Sequence, residues 1–180
     1  MLQLLIICIF CVASMAIIPF FDEKRAKIVA TSSIIITSIF TSFIALRVLT
    51  TGTITLILSG NSIFGQIPLQ VDPLSAWFIL VINFTYITGA LYGISYLEPY
   101  KKFTNKITFH SILLVLLHAS LIAVCVVQNS LLFLIFWELM AVSAFLLVIF
   151  EHEKAATLKA GINFLIQSHI SIILLTFAFI

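Results

Sequence analysis

The chain has 180 residues, 62% of them hydrophobic and only 9% charged, with a mean hydropathy of +1.26, against roughly 45–50% apolar and about 25% charged in a soluble domain. This composition is that of an integral membrane protein. The net charge of +2 comes from nine Lys and Arg scattered along the chain, too few and too dispersed for a nucleic-acid footprint, which excludes nucleic acid as a partner.

Crossing a hydrocarbon core of ~30 Å takes about 20 apolar residues as helix, because each backbone N–H and C=O must find its partner within the segment. Six segments meet that requirement: Leu2 to Phe20, Ile28 to Leu49, Leu74 to Leu97, Ile107 to Val127, Ser130 to Phe150 and Ala160 to Ile180. A membrane β-barrel would instead show short segments alternating apolar with polar, so the expected fold is all-α, with about six transmembrane helices. The first segment lacks the basic leader of a cleaved signal and is followed by charge, so it reads as a retained span. Cys8 and Cys11 have the spacing of a redox or metal pair, but with no second ligand pair nearby they read, like Cys125, as small apolar residues. No metal or cofactor is expected in this chain.

The basic residues alternate between connections. Lys24, Arg25 and Lys27 fall in the first, Lys101, Lys102 and Lys106 in the third, and Lys154 and Lys159 in the fifth, while the second and fourth hold none apart from Arg47 at a helix end. The positive-inside rule then makes the odd connections cytoplasmic and places the N-terminus outside, in a multi-pass protein of the inner or cytoplasmic membrane. The second connection, Thr50 to Pro73, is rich in β-branched residues punctuated by Gly, with "SGNS" as a turn, and predicts a short external β-hairpin. Asp72 followed by Pro73 reads as an N-cap with proline in the first helical turn. Arg47 is expected to snorkel outward, and Trp77, Tyr92, Tyr96 and Tyr100 to anchor or pack the span ends. "VQNSL" is no more than a turn, so the fourth and fifth helices must be antiparallel neighbours. "EHEK", Glu151 to Lys154, reads as a solvated turn.

One carboxylate, Glu138, interrupts the fifth apolar run. Eight residues from Ser130, at ~1.5 Å each, it stands ~12 Å into a ~30 Å core. A charge there costs at least ~2.5 kcal/mol on the most lenient scale, so it needs a partner, a water cavity or a function. His118 and His169 each lie halfway along a span, at the same expected depth. His110 precedes His118 by a little over two turns, nearer the cytoplasmic end, and about 80° round the helix. Burial brings a carboxyl and an imidazole toward one another near neutral pH, which suits proton handling. The four residues read as a hydrated track, with Glu138 as proton carrier and His118, His169 and His110 as relay candidates. For each histidine alone, a neutral ring hydrogen-bonded to a neighbouring helix is the competing reading.

"VDPLSAWF" opening the third span, "LYGISYLEPY" closing it, "FWELMAVSAFLLVIFEHEK" across the fifth and "AGINFLIQSHIS" entering the sixth resemble the N-terminal part of the antiporter-like membrane subunits. These occur in respiratory complex I, in multisubunit cation/proton antiporters and in group 4 hydrogenases; the fifth-span motif looks most similar to the hydrogenase or formate hydrogenlyase branch. The resemblance implies a subunit that translocates protons or sodium, driven by electron transfer in a peripheral redox arm and accompanied by other membrane subunits. It implies inverted five-helix repeats with broken helices at the ion site, and a Glu138 paired with a lysine of a broken seventh helix, for which this chain has no counterpart. Residues 1–106 then correspond to an N-terminal three-helix region with its hairpin, and 107–180 to the start of the first repeat, an incomplete antiporter-like fold expected of a fragment or truncated product. A non-conducting scaffold of the same kind of complex is the alternative. A small-solute carrier fits less well, because no span before the last carries the paired Gly or Pro interruptions that unwind a helix around a substrate.

Overall fold

A computed structural model describes residues 2–60, 65–100 and 104–179. Six α-helices and one hairpin follow in the order α1 (Leu2–Ile17), α2 (Glu23–Thr51), β1 (Ile54–Ser59), β2 (Gln66–Val71), α3 (Pro73–Tyr96), α4 (Thr104–Val126), α5 (Ser130–Val148) and α6 (Ala155–Phe179). Five of them, α2 to α6, are long and apolar enough to cross a membrane. The first apolar segment forms α1, 16 residues long, about 24 Å at ~1.5 Å per residue. Beyond it the chain tightens into a 3-10 turn, Ile18–Phe20, that contains Pro19, whose ring and missing N–H end the α-helical ladder. Two other helices start early, α2 at Glu23 and α6 at Ala155. Hydropathy marks where a helix enters lipid, whereas the hydrogen-bond ladder runs on through the charged turn before it.

Consecutive helices pack as antiparallel neighbours, α2 against α1 and α3, α4 against α5 and α5 against α6, and α2 also packs against α4, which runs parallel to it. Two apolar clusters hold the first four together. One, around Ile18, Ala26, Ala30, Ile34, Ala90 and Val115, lies toward the end where α2 and α4 begin. The other, Ala45, Val48, Val71, Ala76, Ile79 and Val126, lies toward the hairpin. Alanines recur at these contacts because close helix approach, rather than the hydrophobic effect, drives packing in lipid.

The basic connections gather at one end, as expected. There Lys27 is buried, its Nζ 3.6 Å from Glu98 Oε1 and 3.4 Å from the carbonyl of Ile94 in the last turn of α3, where the helix terminus favours a cation. Glu151 accepts from the Tyr100 hydroxyl at 2.6 Å and from Lys154 Nζ, so "EHEK" is a cross-linked turn as well as a solvated one. Lys101 and Lys102 lie outside the described residues.

The external hairpin is present, with Ile54 opposite Val71 and Ser59 opposite Gln66. Gly52, at φ 91°, ends α2 in a backbone region that side chains disfavour, and Gly60 donates to the carbonyl of Gly65 at 2.9 Å across the turn, where Asn61 to Phe64 are not among the described residues. The Pro68 carbonyl accepts from Gln128 N at 3.0 Å and so ties the hairpin to the α4–α5 turn. Asp72 caps α3, accepting from Ser75 N at 2.7 Å, and that bond holds its carboxyl below the usual range. Asp72→Ala should lower the stability of the folded chain by about 1 kcal/mol, read as a drop in thermal midpoint in detergent. Because the native value is depressed, the cap contributes above the ordinary pKa of 3.8 and its contribution fades as pH falls through the native one; the Ala variant should lose that acid sensitivity.

Candidate functional site

Glu138 faces its partner across the α5–α6 contact. Asn129 starts α5 by accepting from Leu132 N at 3.1 Å, which fixes the tight turn after α4 and the rotation of the helix. Gly161 then brings α6 close: a Cβ there would run into Ile149 and touch the ring of Phe145. Two turns further along α6, His169 Nε2 comes within 3.3 Å of Glu138 Oε1. The other ring nitrogen, Nδ1, sits 2.9 Å from the carbonyl oxygen of Leu165.

The carbonyl beside Nδ1 limits how the pair can share a proton. A carbonyl only accepts, so the network assigns a proton to His169 Nδ1. Nε2 then meets Glu138 favourably in two ways: bare, facing a protonated carboxyl, or protonated, facing a carboxylate. Each arrangement has one proton between Oε1 and Nε2, and each has zero total charge. Moving that proton therefore adds no net charge to the membrane interior, where charge is costly. The separation is just beyond the about 2.6–3.2 Å of a made proton-transfer bond. With 35% of the Glu138 side chain and 50% of the His169 side chain exposed, the pair lies on the flank of the bundle.

His118 belongs to a different group. It is 1% exposed, between α2, α3 and α4, with Nε2 3.1 Å from Asn83 Oδ1. Nδ1 lies 3.4 Å from Thr37 Oγ1, and Nε2 also 3.4 Å from Ser38 Oγ. Asn83 Nδ2 in turn donates to Thr41 Oγ1 and Ser42 Oγ at 2.8 Å and to the Ser38 carbonyl at 3.2 Å. The Tyr86 ring covers the imidazole at 4.8 Å between centroids. Because Asn83 Oδ1 can only accept, the network assigns Nε2–H to a neutral His118. This polar layer sits between the two apolar clusters, and no described contact joins it to Glu138.

His110 stands nearer the basic end of α4, its ring edge-on to Phe150 at 5.2 Å. Of the four residues singled out in the sequence, the fold thus joins Glu138 to His169 and holds His118 and His110 in separate surroundings. The layer residues Asn83, Thr37, Ser38 and Thr41 escaped notice because hydroxyls are cheap in helices. The signal for them was a lone amide in an apolar span facing a run of Ser and Thr at helical spacing.

No protein-family model matches the chain. Over 118 residues, 65% of this chain, it is 29% identical to Hydrogenase-4 component B of Escherichia coli, of which the match spans 17%. Over 89 residues, 49% of this chain, it is 32% identical to a protein named as antiporter subunit mnhA2 of Staphylococcus saprophyticus, of which the match spans 11%. The chain thus covers a small part of the length of either relative.

Proposed function

We propose, for a multi-pass membrane chain whose relatives are antiporter-like membrane subunits, that it forms part of an ion-translocating subunit in which Glu138 and His169 pass a proton. The observation that carries this reading is the 3.3 Å approach of His169 Nε2 to Glu138 Oε1, with His169 Nδ1 turned to the Leu165 carbonyl. Glu138 is the proton carrier and His169 its first relay; His118 and His110, which stand apart from the pair, would join the path through bridging water. Half-exposed ionisable groups at membrane depth need protein or water beside them, which supports further membrane subunits packed against α5 and α6. The energy for transport would come from electron transfer in a peripheral redox arm or from a second ion gradient. The relatives' names supply those two kinds of complex, a hydrogenase and an antiporter.

Infrared difference spectra of the reconstituted chain, recorded as an ion gradient is applied and withdrawn, test the pair directly. A carboxyl band should respond to the gradient, be absent in Glu138→Gln, and survive in Glu151→Gln. A responding band that is insensitive to Glu138→Gln would refute the assignment. A second reading, a non-conducting scaffold with Glu138 bridging helices, predicts a band that the gradient leaves unchanged.

A further inference from the structure

At the basic end of the bundle, a cavity of about 130 Å³ opens between the start of α4 and the end of α5. Its walls grade from polar to apolar. Lys106, His110 and His152 supply nitrogen, while Phe109, Leu113 and Leu147 supply hydrocarbon, and Phe109 is 51% exposed where the cavity meets the outer surface of α4. His110 Nδ1 is buried without a hydrogen-bond partner, an orphan polar atom of a kind native structures seldom leave. Lys106 Nζ holds Glu153 Oε1 at 2.6 Å, but Glu153 is 75% exposed, and an exposed ion pair contributes little, so a lipid phosphate that is also anchored by its acyl chain can displace that carboxylate. Lys154 is already occupied by Glu151, and Tyr100 also bonds Glu151, so neither competes for the cavity.

A rim of one lysine and two histidines over an apolar wall at the membrane surface suits one amphiphile. The geometry points to this cavity as a binding site for an anionic phospholipid, its phosphate held by Lys106, His152 and His110 and its acyl chain lying along Phe109, Leu113 and Leu147. At ~30 Å³ per water, the space takes a phosphate group but not a whole lipid, so the chain must run outward over Phe109 into the bilayer. Basic pockets between membrane helices hold lipid headgroups by this chemistry. The site is independent of the proton pair and stands or falls without it.

Native mass spectrometry of the whole chain, purified in detergent and offered phosphatidylglycerol or phosphatidylcholine, tests the site. Retention of phosphatidylglycerol should exceed that of phosphatidylcholine by roughly fivefold, as expected for one lysine contact. The preference should vanish in the Lys106→Gln, His152→Gln double variant and persist in Lys159→Gln, which alters a lysine at the same end but outside the cavity. Leu147→Trp fills the apolar wall without touching charge and should also abolish retention; its result decides the matter if the double variant fails to fold. Equal retention of the two lipids, or equal loss in Lys159→Gln, would overturn the proposal. So would displacement of the lipid by inorganic phosphate alone, which would mark a free-anion site.

Discussion

Glu138→Gln should lower proton flux ~10²-fold in vesicles carrying the chain with its natural neighbours, the scale expected when a positioned proton carrier is removed. The amide keeps the shape of the side chain and can still face His169 Nε2, so the folded chain and its assembly should survive. What it cannot do is take up and release a proton at the position that faces His169 Nε2. His169→Gln should cost less, about tenfold, because Glu138 remains to exchange with water. Flux unchanged in Glu138→Gln would remove the carrier role. Flux and assembly falling in parallel would favour the scaffold.

Asn83→Leu should have the largest effect on stability, about 2 kcal/mol, although leucine suits a lipid-spanning helix better than asparagine. The loss comes from groups left behind: Thr41, Ser42, the Ser38 carbonyl and His118 all lose a partner in the dry centre of the bundle. Interhelical hydrogen bonds in membranes average about 0.6 kcal/mol and orphaned buried groups cost about 1–3 kcal/mol, so several at once reach that total. The thermal midpoint in detergent reads the change. Thr85→Val, on an exposed face of the same helix, should stay within about 0.5 kcal/mol. Equal effects at the two positions would mean that the layer does not lock the helices.

Much of this fold was legible because lipid leaves so few choices. Apolar runs of spanning length can only be helices, and the alternation of lysines among the connections correctly grouped the ends of the bundle. The hairpin showed in its β-branched residues and glycines, and the α3 cap in Asp72 and Pro73. Position along each helix was legible too, since rise per residue is fixed, and His169 meets Glu138 at the level that count gives. Azimuth was not. His118 and His169 both lie midway along their spans, but which neighbour each faces depends on helix rotation. That rotation is set by particular contacts, Gly161 against Ile149 for α6 and Asn83 against Ser38 for α4's neighbours, that no single-segment pattern reveals. The shortened α1 has a plainer cause, since a hydropathy window passes over Pro19 and the backbone does not.

The polar layer also bears on how the protein is made. As α2 leaves the ribosome it carries Thr37, Ser38 and Thr41 with no side-chain partner outside its own turn, and α3 brings the first, Asn83. Only the arrival of α4 with His118 closes the layer. During synthesis the early helices therefore have reason to stay together, shielded from the bulk lipid, until the fourth joins them. The carboxylate of α5 and the imidazole of α6 would then be laid against a wall already set, so that errors in their placement are errors of docking and not of the scaffold's own assembly.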